Sequence, residues 1–146
     1  MAGQNVRTIL RALSGFIADE VFVAGADLSG SGQYRFVGSG SVSGEVVLAT
    51  GASLPVPLGV LQNAPTVGQI ARVRMFGRST VTACPAACVL VPGTLITSGS
   101  IGTACAAGAL GVSLGRWLSA STSGSSTTGE AFINCIGFNS CPGAAS

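Results

Sequence analysis

The sequence contains no histidine and no lysine, a single tryptophan, a single tyrosine and five carboxylates. Each shortage removes a class of chemistry. Without histidine there is no Ser-His-Asp triad, no Cys-His nucleophile, no HExxH metal site and no His-bearing zinc ligand set. The acids Asp19, Glu20, Asp27, Glu45 and Glu130 are scattered, and no pair has the setting of glycosidase carboxylates. Ser-rich loops offer hydroxyls but no base to activate one. The chain therefore reads as a non-enzyme, with no cofactor and no metal expected. One Trp and one Tyr are also poor provision for the aromatic platform of a secreted carbohydrate-binding or surface adhesion β-sandwich, which is kept as the alternative function.

Charge is scarce as well. Charged residues make up 8% of the chain, against roughly 25% in an average soluble domain. So few charges leave much of the surface dry, which points to a face covered by copies of the chain or by a larger assembly; a monomer coated in Ser and Thr is the competing explanation. All seven basic residues are Arg, and the net charge is +2. That is too little to imply nucleic acid, whereas weakly hydrated, fork-shaped Arg suits protein interfaces. No apolar run reaches the ~18 residues of a membrane span. The nearest, residues 101–115, is interrupted by Gly102, Gly108, Gly111 and Gly115. Arg7 and Arg11 break up any secretory leader. No membrane partner is expected.

Five cysteines are present, an odd number. Cys84 with Cys88, and Cys135 with Cys141, are the local candidates for disulfides; Cys105 reads as a small apolar thiol. Their spacings are not the paired CxxC of a zinc ribbon. Gly38, Gly40 and Gly44 approach a GxGxxG pattern but miss it by one residue, and no helical pattern follows.

What is present is organised around residues 58–77, LGVLQNAPTVGQIARVRMFG. Leu58, Val60 and Leu61 form a short apolar run. Asn63, Pro65 and Gly68 are turn residues: Asn tolerates left-handed backbone, Pro fixes φ, and Gly takes positive φ freely. From Ile70 to Phe76 the pattern alternates, with Ala71, Val73 and Met75 on one face and Arg72 and Arg74 on the other. This predicts strand, tight connection, strand, with the second strand ending or bending at Gly77. Arg72 and Arg74 are either contacts to acidic groups on a partner or the solvated face of an edge strand.

The remaining chain reads as short strands. Residues 5–17 place Val6, Ile9, Leu10, Leu13, Phe16 and Ile17 at helical spacing, with Arg7 and Arg11 on another face, so an amphipathic helix or an extended arm is expected there. Arg7, Arg11, Leu13 and Phe16 are its candidate contacts. Strands are expected over 21–23, 34–37, 45–49, 79–83, 88–91, 94–97, 112–118 and 130–138, with Pro55 and Pro57 excluding a central strand between residues 50 and 57. The 112–118 segment is expected to put Leu114, Arg116 and Leu118 on one face. Trp117 is read as core in preference to interface. Strands at roughly ten-residue spacing suggest a sandwich or barrel.

The order of these blocks resembles the small capsid decoration, or cement, proteins of tailed bacteriophages. The residues that carry the resemblance are the block from Gly59-Val60-Leu61-Gln62-Asn63 through Pro65 and Gly68 to Ala71 and Val73, and later Leu114-Gly115-Arg116-Trp117-Leu118-Ser119-Ala120-Ser121 ahead of Gly129-Glu130. With Phe22–Leu28, Tyr34–Val37 and Gly44–Ala49 they cover about residues 20–136, with gaps. The resemblance implies an all-β, compact β-barrel or β-tulip domain, taken over residues 20–138; the residues themselves suggest a helix or arm at 1–19 before it and a tail at 139–146 after it. The resemblance also implies a homotrimer, made in the host cytoplasm and seated on the outer capsid surface of the virion at three-fold or quasi-three-fold positions. There it would clamp the major capsid protein after shell expansion. The arm, the Cys84–Cys88 loop and the Cys135–Cys141 tail lie outside the resembling pattern.

Overall fold

The computed structural model describes residues 16–51, 56–85, 89–108, 112–120, 122 and 127–136. Among these there is no helix. They form strands β1 (Ala18–Ala24), β2 (Phe36–Ser39), β3 (Glu45–Leu48), β4 (Pro57–Leu61), β5 (Ile70–Thr82), β6 (Leu95–Ser98), β7 (Ala104–Ala106), β8 (Gly115–Trp117) and β9 (Thr128–Asn134). The fold is all-β, as the strand spacing predicted.

One strand belongs to two rings. The ladder runs β1-β3-β2-β4-β5, and β1 then pairs back onto β5, closing a five-stranded barrel. Each antiparallel pairing reverses strand direction, so a ring with an odd number of strands needs a parallel pair to close. Here it is β1–β3, with Val23 opposite Glu45 and Ala24 opposite Val46. β5 is 13 residues long and outruns this barrel. Its first half pairs with β1 and β4, and its second half, from Phe76 to Thr82, pairs with β9. From β9 the sheet continues through β8 and β6 to β7. β7 returns to the end of β5 through an isolated parallel bridge between Ala83 and Ala104. The Cys84 amide donates to the Ala104 carbonyl there at 2.9 Å.

The alternation in β5 decides which side chains enter each ring. Ala71 and Val73 are fully buried in the barrel with Ala24, Leu28, Val37, Val46 and Leu61. Val81 is fully buried in the second core, with Phe36, Leu90, Ile96, Leu114, Trp117, Ala131 and Ile133. A ring of five strands is narrow, and its lining of Ala, Val and Leu fits that width. Gly77, at φ 109°, sits where β5 passes from one ring to the other. A Cβ there would lie 2.8 Å from the Phe16 carbonyl oxygen, so a side chain would push the start of β1 off the strand.

Several sequence expectations are corrected. β5 bends at Gly77 but continues to Thr82, so the expected 79–83 strand is its second half. Tyr34 lies outside β2 with φ 63°, a left-handed residue, because its amide donates to Leu61 and its carbonyl accepts from Thr82. Pro57 opens β4, where a first-position proline costs no ladder bond. Leu90 is tied to Thr122 by two hydrogen bonds of 2.9 Å instead of a strand partner. β8 is three residues long; Leu114 turns into the core while Arg116 and Leu118 face outward, so the three do not share a face. β9 runs from residue 128 to 134, starting two residues before the expected 130–138 strand and stopping short of its end. β1 runs from Ala18 to Ala24, longer at both ends than the expected 21–23 strand.

Candidate interaction surface

The outward face of β5 carries Arg72, Arg74 and Arg78. Asp19 on β1 lies directly opposite Arg74 in the register. The Arg74 guanidinium donates to both Asp19 oxygens, Nε to Oδ1 at 2.8 Å and Nη2 to Oδ2 at 3.1 Å. Arg72 adds a longer contact of 3.5 Å to Oδ2. These guanidinium hydrogen bonds, Arg74 first, hold the Asp19 carboxyl below its usual value against the opposing effect of burial. Arg74 also donates from Nη1 to the Arg78 carbonyl at 2.8 Å and is largely buried. It is a clasp across the barrel seam. Arg72 keeps most of its side chain in solvent.

The turn residues act on the same strand. The Asn63 side chain donates from Nδ2 to the Ile70 carbonyl at 2.8 Å and accepts from the Arg72 amide at 2.9 Å. An Asn amide has the donor and acceptor of a peptide group, so it continues the β4 ladder beyond its last backbone pair. The Pro65 carbonyl accepts from Leu28 at 2.9 Å, and the Gly68 amide, at φ 80°, donates to Ala24 at 2.8 Å. The 63–69 connection is thereby stitched to the end of β1.

The second half of β5 presents a different face. Register places Arg78 beside Phe132, Phe132 beside Arg116 and Arg116 beside Leu95, one outward row across β5, β9, β8 and β6. Arg78, Arg116, Leu118 and Phe132 line an open groove of about 510 Å³. Phe132 packs edge-on to Phe76 with centroids 5.1 Å apart, and Phe76 packs on Phe16 at 5.6 Å. Phe16, a predicted contact, is exposed at the end of this aromatic chain. Arg78 pairs with Glu130 at 2.8 Å, with both side chains in solvent. Arg116 donates to the Gly93 carbonyl at 3.0 Å and makes no ion pair among the described residues. Trp117 lies beneath the row, buried, with its indole N–H donating to Ala120 at 3.2 Å.

Arg7, Arg11, Leu13, Cys88 and Cys141 lie outside the described residues. Cys84 is half-buried. Cys135 carries a thiol 3.9 Å from the Leu114 carbonyl, and burial pushes it up to about 12. Among the described residues no three His, Cys, Asp or Glu side chains cluster as a metal site. The sequence reading passed over Phe76, Phe132 and Arg116 as contact residues. Residues 116, 118, 130 and 132 do show a period of two, but only the register brings them together.

No family model matches the chain, and no curated protein matches it. Among solved structures it is similar to the head fiber gp8.5 N base of bacteriophage phi29. The TM-score is 0.57 at 17% identity, over 82% of this chain and 96% of that one. At such identity the likeness is one of fold.

Proposed function

We propose that this chain is a structural protein of a tailed-phage virion. On this reading it is a homotrimeric cement on the outer surface of the expanded capsid, where it clamps neighbouring major capsid subunits at three-fold or quasi-three-fold positions. The observation that carries it is the likeness of fold to a phage head fibre base over nearly the whole of that base. The resemblance of the residue 59–73 and 114–130 blocks to cement proteins favours the same class. Composition agrees: sparse charge and exposed aliphatic residues such as Val21, Val67 and Ile70 suit a surface covered in an assembly. Three-fold placement would multiply a modest contact by avidity. The buried position of Trp117 leaves the alternative carbohydrate-binding module without its only tryptophan as a platform.

The structural neighbour favours one second reading, a base that seats a fibre on the head. Two measurements separate the readings. Sizing of the free protein by light scattering tests the trimer, and co-sedimentation with expanded and unexpanded shells tests capsid binding. A cement should bind expanded shells and raise their heat-disruption temperature; a fibre base should bind without raising it. No binding to either shell would refute both.

A further inference from the structure

We propose that the groove framed by Arg78, Arg116, Leu118 and Phe132 is the docking site for an acidic protein segment. An apolar side chain of that segment settles on Phe132 and Leu118, and a neighbouring carboxylate pairs with Arg116. The inference rests on the cement reading for the identity of the partner, and it moves the contact away from Arg72 and Arg74, where the sequence had suggested it.

The first argument is charge. Arg74 is engaged with Asp19 through two donors and with the Arg78 carbonyl through a third, and Arg72 shares the same carboxylate. Closing the barrel seam satisfies them. Two guanidinium groups line the groove and one acid stands beside it: Glu130 pairs with Arg78, and among the described residues Arg116 has the Gly93 carbonyl alone. A guanidinium has five N–H donors, so Arg116 keeps a fork for a carboxylate from outside. The groove therefore carries net positive charge and is complementary to an acid.

The second argument is shape and apolarity. Adjacent strands lie about 4.8 Å apart, so the strands of Arg78 and Arg116 are about 10 Å apart with Phe132 between them. Phe132 is held edge-on by Phe76, which limits its rotation. Leu118 is anchored beside it, its amide donating to the Glu130 carbonyl at 2.9 Å. A rigid aromatic flanked by Arg is the composition found at protein interface anchors. A volume of about 510 Å³ is within the range of sites that hold a bound group. Nucleic acid is the poorer fit, because the chain's net charge is only +2.

The test uses the full chain, amide-resolved NMR and two capped peptides, Gly-Glu-Leu-Glu-Gly and its Gln counterpart Gly-Gln-Leu-Gln-Gly. The acidic peptide should move the amides of Arg116, Leu118 and Phe132, and the Gln peptide should not. Arg116→Gln should weaken acidic-peptide binding at least tenfold; Leu118→Ser, on a half-exposed residue, should weaken it without changing the melting temperature. With expanded shells, Arg116→Gln should lower retention about tenfold and Arg72→Gln should leave it unchanged. Equal response to both peptides, or none at the groove, overturns the proposal whether or not shells are bound. Groove shifts caused by a thymidine oligonucleotide alone, or by raising the protein concentration alone, would also overturn it, in favour of nucleic acid or self-association. Shell binding that survives Arg116→Gln and Leu118→Ser would overturn the groove while leaving the cement reading intact; failure of the wild-type chain to bind shells would remove that reading and leave the peptides to decide the groove.

Discussion

The two rings that share β5 are held closed by different means. In the barrel, β1 runs along β5 from Ala18 opposite Phe76 to Val23 opposite Ile70, and the seam is clasped by Asp19 and Arg74. Its core is small, built from Ala, Val and Leu. The second ring closes through one bridge, Ala83 to Ala104, and its strands β6, β7 and β8 are three or four residues long. Its core holds the bulky side chains instead, with Trp117 and Phe36 fully enclosed. The barrel's closing seam is a ladder running from Ala18 to Val23, and small side chains suffice inside it. The second ring closes through a single bridge, so packing of large side chains must supply the stability that its seam does not.

Four substitutions probe this contrast. Trp117→Ala should do the most damage, about 3–5 kcal/mol, because it empties the second core. Gly129 passes so close to the Trp117 ring that a Cβ there would meet it, so Gly129 itself brings no side chain to fill the gap. Denaturant titration measures the loss, and a cost below about 1 kcal/mol would break the assignment of that ring's stability to packing. Gly77→Ala attacks the joint between the rings. A left-handed φ and the Phe16 carbonyl both oppose a Cβ, so a cost of about 1–3 kcal/mol is expected. Protection of the β1 amides against hydrogen exchange should fall most, which separates the seam from the rest.

Asp19→Asn should cost less, about 1.5 kcal/mol, the low end for a hydrogen bond to a charged group. Its pH dependence sharpens the point. The Asp19 carboxyl is lowered in the folded state, so between its folded and unfolded values the unfolded chain binds the extra proton. Its stabilisation is therefore fully present above the unfolded carboxylate value of about 4, and is lost as pH falls through the folded one. Melting curves of wild type and Asp19→Asn should differ at pH 7 and converge at strongly acidic pH. A gap that persists there would assign the effect to something other than charge. Glu130→Gln breaks an exposed pair and should cost under about 0.5 kcal/mol. A larger loss would mean that the second ring also depends on a clasp.

The 58–77 block was legible because its determinants are local. The two-residue period over Ala71, Val73 and Arg72, and the Asn-Ala-Pro turn, are written in consecutive residues, and the burial of Ala71 and Val73 follows directly. The burial of Trp117 agrees with its reading as a core residue. Local pattern failed at 112–118, where the period puts Leu114 and Arg116 together but the chain turns between them, placing Leu114 in the core. It failed at Tyr34 too, whose left-handed backbone is imposed by partners in β4 and β5.

Consecutive residues thus dictated an all-β chain and the two-faced character of the strand that starts at Ile70, while its run past Gly77 to Thr82 came from pairing with β9. Which arginines pair with acids of the same chain was decided by strand register. Asp19 meets Arg74 across 55 positions of sequence, and Phe132 comes between Arg78 and Arg116 because β9 lies between β5 and β8. Strand pairing depends on how two rings close over their cores, a long-range condition that no window of neighbouring residues contains.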